Sequence, residues 1–351
     1  MKILYAAGLT PNDTSLYRMW ALERLGHQVI PMNTYDYQYS NPFLRKVFFR
    51  LAAGPMVTRL NRDLLRVAAA EKPDLLWTDK LLSMQPGTLD RMRAMGIATV
   101  SYMIDNPFGP RQDPGWRLYM KDIPHYDLHV VQRDKNITDY RQRGARDVIK
   151  IQTAYEPTLQ YPPPDSWSDA NRNREVSFVG TPYDNRAETL NRLSKLNEFQ
   201  VVISGNDRQW KRALGEEPFS RLYREGELYR QQYREAIWRS KINLSFITHS
   251  NLDEFVHKSF EIAGCGGFLL AERSEGHLQR FREDEEAVFF SSYDELLEKI
   301  RRYLPDEAAR RRIAAAGQRR ALRDGYHNDR QMELIVERAA EIVNRLRTTS
   351  V

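Results

Sequence analysis

The chain is expected to fold as α/β, with two doubly wound parallel sheets in tandem. Three observations predict this. Short apolar runs alternate with segments of helical spacing along most of the sequence. Several of those runs stop on a glycine, as at Gly8, Gly180 and Gly205, or on a polar turn. A Pro-rich, polar stretch around Pro162-Pro163-Pro164 then divides the alternation into two series. Strands alternating with helices over short connections favour a parallel sheet covered on both faces.

The totals agree. A length of 351 residues is too great for one core and suits two domains of ordinary size. With 41% hydrophobic and 28% charged residues the chain reads as soluble and globular. No apolar run approaches the roughly 20 residues needed to span a bilayer. The run 3–9 follows only Lys2 and meets Pro11-Asn12-Asp13, so a first buried strand explains it better than a signal peptide. A single cysteine, Cys265, excludes an internal disulfide framework and a Cys-rich metal site, which makes the cytoplasm the default location. Net charge is +6, and residues 1–160 carry all of that excess, with 22 basic against 16 acidic side chains. An anionic partner for the first half is one reading: a phospholipid surface, a lipid-linked phosphate or nucleic acid. A solubilising surface without a partner is the other.

In order, residues 2–7 form an apolar strand closed by Gly8, 15–25 show helical spacing stopped by Gly26, and 28–32 form a second strand. No G-x-G-x-x-G follows the first strand, so a dinucleotide fingerprint is not supported. Residues 41–51, N-P-F-L-R-K-V-F-F-R-L, interleave apolar side chains with Arg45, Lys46 and Arg50. Such a segment either lies on a membrane surface or packs its apolar face onto its own domain. A helix over 57–70 carries Arg59, Arg62 and Arg66; strands at 74–78, 98–104, 127–131 and 148–152 and helices at 86–95 and 135–143 complete the first series. The strand at 98–104 ends in Asp105-Asn106-Pro107, and the ligand crevice of an open α/β sheet lies at such carboxyl ends.

The second series has strands at 176–179, 200–204, 242–246, 268–271 and 287–290. Helices are expected at 185–196, 229–240, 293–304, 306–323 and 329–347, with an irregular stretch after Gly205. Its central feature is K-S-F-E-I-A-G-C-G-G-F-L-L-A-E at 258–272, a helix with Lys258 and Glu261 on one face, then a glycine turn and a buried strand. An ordinary helix–turn–strand with a surface ion pair has the same spacing, so other residues must decide. No D-x-D, H-E-x-x-H or G-x-x-x-x-G-K occurs, which argues against a metal-chelating sugar-nucleotide site, zinc hydrolase and P-loop chemistry. What the strand ends offer instead is Gly180-Thr181 with Arg186, Gly205, and Lys258, Ser259 and Glu261. Glycines let backbone amides reach a phosphate. Lys258 and Arg186 can neutralise a diphosphate in place of a metal. Glu261 suits hydrogen bonding to the hydroxyls of a ribose.

Three segments carry a resemblance: K-S-F-E-I-A-G-C-G-G-F-L-L-A-E, then E-A-V-F-F-S-S-Y-D-E-L, then R-R-R-I-A-A-A-G-Q-R-R. They resemble the CgeB-like (spore maturation protein) glycosyltransferases, relatives of the group-1 glycosyl transferases, over about residues 175–330. The first half is similar more loosely, through K-P-D-L-L-W and I-D-N-P-F. The family usually has R-x-F-E-x-x-x-C-G; Lys258 here keeps the charge and loses the arginine fork. The resemblance implies a GT-B fold, two Rossmann-like doubly wound domains facing across a cleft. It implies an acceptor-binding domain at 1–155, a linker at 156–174, a nucleotide-sugar donor domain at 175–328, and a last helix, 329–351, crossing back towards the first. No cofactor or metal is implied beyond the nucleotide-diphosphate sugar. Glu261 falls on the family's ribose-binding glutamate, Asp253 on the place of a second acid, and Asp105 where relatives often carry a histidine, which suits a general base.

The expectation is therefore a metal-independent glycosyltransferase, cytoplasmic or peripheral at the inner membrane face, acting on a carbohydrate or lipid-linked acceptor. Two alternatives stand beside it: a phage-type glycosyltransferase acting on modified DNA, and a non-catalytic sugar-nucleotide-binding protein of the same fold.

Overall fold

The computed structural model describes residues 1–51, 53–110 and 114–349. The chain forms two compact units, Met1–Gln152 with Asn328–Val351, and Thr153–His327.

In the first unit six strands make one parallel sheet: β1 Lys2–Ala7, β2 Gln28–Asn33, β3 Leu75–Asp79, β4 Ala98–Tyr102, β5 Leu128–Val131 and β6 Val148–Lys150. Their order is β2-β1-β3-β4-β5-β6. Strands β3, β4 and β5 are buried along their whole length, as a sheet covered on both faces requires. One face packs against helices Thr14–Arg24 and Asn328–Thr349, through Met19, Leu22, Met332, Ile335 and Ala339. The other packs against helices Pro55–Glu71 and Pro86–Ala94, through Leu60, Leu64, Leu89 and Met92. Each fully buried side chain of this kind contributes roughly 1.5–3 kcal/mol. After β1 the chain steps outward to β2, then inward to β3 on the other side. The β1/β3 junction is therefore the switch point, where an open sheet leaves a crevice at its carboxyl edge.

The second unit repeats the plan with β7 Arg174–Val179, β8 Val201–Ser204, β9 Tyr223–Glu225, β10 Ser240–Ser245, β11 Leu269–Glu272 and β12 Val288–Phe290. The order β12-β11-β10-β7-β8-β9 puts its switch point at β7/β10. Two features differ from the sequence reading. The stretch expected to be irregular holds helices Asp207–Leu214 and Glu216–Leu222 and the edge strand β9. Each of those helices buries one residue, Trp210 or Leu222, too few to make a visible period. Residues 156–174, read as a linker, lie within the second unit. Trp167 Nε1 donates to the Trp238 carbonyl at 3.1 Å, and the two indole rings meet edge-on at 5.7 Å.

Candidate active site

The helix His257–Gly264 follows β10 after the connection 246–256, which holds a single 3-10 turn at His249–Asn251. Phe260, Ile262 and Ala263 bury its inner face, and Gly264 presses against Tyr155 so closely that a Cβ would lie 2.6 Å from the ring. His257, Lys258 and Glu261, spaced three and four apart, share the other side. Glu261 is half-buried, its side chain 12% exposed. Gln160 Nε2 donates to its Oε1 at 2.8 Å, where His257 Nε2 also lies at 3.1 Å, and the Tyr233 hydroxyl donates to Oε2 at 2.8 Å. Burial alone would push this carboxyl up. His257, Lys258 and the tyrosine hydrogen bond outweigh it and hold the pKa at about 2. The group is ionised at neutral pH.

Lys258 lies over two aromatic rings, Phe178 at 5.6 Å and Tyr233 at 5.1 Å, and its Nζ donates to the Tyr233 hydroxyl at 3.3 Å. Burial pulls its pKa down to about 8; Glu261 opposes the shift and Arg186 adds to it. A lysine held this way gains from an anion placed beside it.

Beside Lys258 the strand ends come together. Gly180 closes β7 and Gly205 closes β8, with φ of 157° and 150°. The Gly180 amide donates to Ser204 at 2.9 Å, and its carbonyl accepts from Trp210 Nε1 at 2.8 Å. A Cβ on Gly205 would sit 2.2 Å from that carbonyl, so only glycine permits this approach. Thr181 follows at the same edge.

The other expected site residues are placed differently. Arg186 is 6% exposed and donates to the carbonyls of Thr181 (3.2 Å), Phe246 (3.1 Å) and Ile247 (3.1 Å) and to Thr248 Oγ1 (2.9 Å). It ties the ends of β7 and β10 together, and its buried Nε has no partner among the described residues. Ser259 is fully buried and faces the core, 2.9 Å from both Ser245 Oγ and His277 Nε2. One position along a helix from Lys258 is a turn of about 100°, which carries it off the ligand-facing side. Asp253 accepts from Asn251 Nδ2 at 2.9 Å in the loop before the helix. Asp105, in the first unit, pairs with Lys80 at 2.9 Å. Gln160 and Tyr233 were missed, since nothing local marks a partner 101 or 28 residues away. His257 was legible, four positions before Glu261.

The first unit has a site of its own at its switch point. A cavity of about 720 Å³ opens at the ends of β1 and β3, bounded by Gly8, Asp79 and Lys80 and walled by Tyr35, Tyr37 and Tyr39. In its floor Arg18 and Asp79 are 3% and 0% exposed and bond bidentately, Nε to Oδ2 at 2.6 Å and an NH₂ group to Oδ1 at 2.9 Å. Burial disfavours the Arg18 charge, yet Asp79 outweighs it and keeps the guanidinium protonated. The Tyr5 hydroxyl lies 2.8 Å from Asp79 Oδ2. Lys80 brings Asp105 beside this cavity.

Comparison with known proteins bears on both units. Residues 186–337 match the family model described as glycosyl transferase-like. No curated protein sequence matches the chain. Among solved structures, the chain is similar to a sucrose-phosphate synthase from Thermosynechococcus elongatus, with TM-score 0.71 and 13% identity, over 98% of this chain and 100% of that one. It is similar to Anabaena HepE in complex with UDP-glucose, with TM-score 0.65 and 15% identity over 97% and 100%. A trehalose 6-phosphate synthase from Burkholderia multivorans gives TM-score 0.64 and 13% identity over 100% and 98%. The architecture is GT-B. With the glycosyl transferase-like match over most of the second unit, the chain is an enzyme of the glycosyltransferase class. Among the described residues no helix is long and apolar enough to cross a membrane, and no group of three or more His, Cys, Asp or Glu is placed to hold a metal ion.

Proposed function

We propose that the chain moves a sugar from a nucleotide-diphosphate sugar to an acceptor hydroxyl without a metal ion, as a relative of the CgeB-like glycosyltransferases. The observation that carries this is the placement of Glu261 and Lys258 on one helix face, held by Gln160 and Tyr233, at the carboxyl ends of β7 and β10. Among the described residues Glu261 Oε2 accepts from Tyr233 alone, so a lone pair remains for a ribose hydroxyl. Lys258 lies next to Gly180 and takes the charge that develops on the departing diphosphate. Gly180 and Gly205 leave room for the phosphates because they carry no side chain, and the Thr181 amide is the donor there, since the Gly180 and Gly205 amides already donate to the carbonyls of Ser204 (2.9 Å) and Gly226 (3.1 Å). HepE was solved with UDP and with UDP-glucose, which supports a uridine nucleotide as the donor to try first.

Asp105 is the proposed base on the acceptor hydroxyl, and Asp253 the second acid near the donor sugar. Arg186 acts by fixing the strand ends, with Ser259 behind the helix. The acceptor is a carbohydrate or a lipid-linked glycan, and the enzyme works in the cytoplasm or at the membrane face. Arg59, Arg62 and Arg66 share the single carboxylate of Asp63 at 3.7, 3.6 and 3.8 Å, so this stripe keeps a net positive charge and duplex DNA at low salt is the second acceptor to test.

The test is UDP binding by calorimetry and UDP-sugar turnover in Glu261→Gln and Glu261→Ala. Loss of a charged acceptor should weaken UDP about 10- to 100-fold and abolish turnover, with the glutamine variant keeping the fold. Turnover at the wild-type rate in either variant sinks the site assignment.

A further inference from the structure

We propose that the first unit's cavity binds a phosphorylated sugar, with its ring among Tyr35, Tyr37 and Tyr39 and its phosphate against Arg45 and Lys46. Only the statement that this sugar is the acceptor rests on the glycosyl-transfer reading; the binding itself does not.

Place is the first argument. The cavity occupies the switch point of a parallel sheet, and its volume of about 720 Å³ accommodates a hexose phosphate or the head of a longer glycan. Charge is the second. Four cations line it, Arg18, Arg45, Lys46 and Lys80, against two acids, Asp13 and Asp79. Arg18 is consumed by Asp79 and Lys80 by Asp105. Asp13 accepts from Thr10 and, at 3.2 Å, from the Tyr35 hydroxyl. Arg45 and Lys46 have no carboxylate partner among the described residues. Two adjacent unpaired cations match a phosphomonoester, which carries about −1.5 to −2 at neutral pH, better than a single carboxylate. The arginine adds a fork that fits phosphate oxygens.

The wall is the third argument. Tyr39 stacks on Phe48 at 4.6 Å, and its hydroxyl is shut from water with no hydrogen-bond partner among the described residues. Gly54, with φ of 126°, lies so close to Phe48 that a Cβ would be 2.4 Å from the ring, which fixes that wall. Helix Pro42–Leu51 thus presents Arg45 and Lys46 to the cavity from a braced position.

Calorimetry on the full chain with glucose 6-phosphate, glucose and UDP separates the possibilities, with Arg45→Ala/Lys46→Ala as the variant. Both positions are exposed, so an unchanged melting temperature and unchanged UDP affinity are expected of it. Glucose 6-phosphate should bind at least about tenfold tighter than glucose, and the double variant should erase that difference. A second arm uses phosphatidylcholine vesicles carrying a polyprenyl-phosphate-linked glucose. If only these retain the protein, and the double variant releases it, the proposal stands with a lipid as the source of the phosphate. Equal affinity for glucose and glucose 6-phosphate with no vesicle retention overturns it. So does UDP binding with neither phosphorylated probe bound. Glucose 6-phosphate binding that depends on Arg45 and Lys46, with no UDP binding, would overturn the transfer reading and leave the cavity assignment intact.

Discussion

Each unit places an acid and a base at the switch point of its sheet, and the two pairs are opposites. Arg18 and Asp79 are sealed under the first unit's cavity and bonded to each other twice. Lys258 and Glu261 share a helix face in the second unit, half-buried, and their hydrogen bonds go to Gln160 and Tyr233 rather than to each other. Asp79 and Glu261 each have three polar contacts, so the difference lies in the cations: Arg18 is tied twice to its acid, whereas Lys258 makes one long bond, to the Tyr233 hydroxyl, among the described residues. Sheet topology nominates both crevices, but satisfaction of the charges separates a pair that holds the floor from one that meets a ligand.

The largest effect that would break this contrast is on stability. Arg18→Met leaves Asp79 buried with Tyr5 as its one remaining side-chain partner among the described residues, and losing one partner of such a pair costs about 3–5 kcal/mol. Urea unfolding of the isolated chain measures it. A loss below about 1 kcal/mol would place Arg18 with the exposed pairs, whose contribution is that small.

Much of the frame was legible in the sequence because it is local. Gly8, Gly26 and Gly96 punctuate the first unit where the strands and helices change, and the apolar stripe Met332, Ile335, Ala339, Ile342 and Val343 announces the last helix. Lys258 and Glu261 were legible by the same helical spacing. What escaped is whatever depends on residues far apart. Arg18 and Asp79 stand 61 positions apart, and Gln160 reaches Glu261 from a segment whose prolines suggested a linker. Ser259 and Arg186 show the limit from the other side. Their residue types suit a phosphate site, but which way they face is set by packing that a single sequence does not display.

The buried Ser245–Ser259–His277 chain gives an intermediate effect. His277 Nδ1 lies 2.9 Å from the Glu272 carbonyl and must donate to it, so Nε2 accepts from Ser259. Burial pulls the imidazole pKa down to about 4. The unfolded chain binds the proton at higher pH, near the ordinary value of 6.5, so this contribution is complete above about 6.5 and is lost as pH falls towards 4. His277→Ala should cost about 2–3 kcal/mol at pH 7 and flatten the fall in stability between pH 6.5 and 4, read as the difference between variant and wild type across a pH series. Loss of stability without that flattening would mean the ring matters for its volume alone.

The smallest effect tests the second pair and has the opposite sign. Because burial lowers the Lys258 pKa from 10.5 to about 8, the folded chain without ligand carries an ammonium it does not favour. Between pH 8 and 10.5 the unfolded chain holds the proton that the folded one has released, so this contribution to stability rises with pH across that window. Lys258→Met removes the buried charge while keeping the contact with Phe178 and Tyr233, and should raise stability at pH 7 by about 1 kcal/mol. The advantage should shrink as pH approaches 10, whereas the same variant weakens UDP binding about tenfold or more. Function and stability would then pull against each other at this position, as expected of a group held ready for an anion. If Lys258→Met destabilised the chain as Arg18→Met does, the two pairs would be alike, and the second crevice would have lost its strongest claim to a ligand.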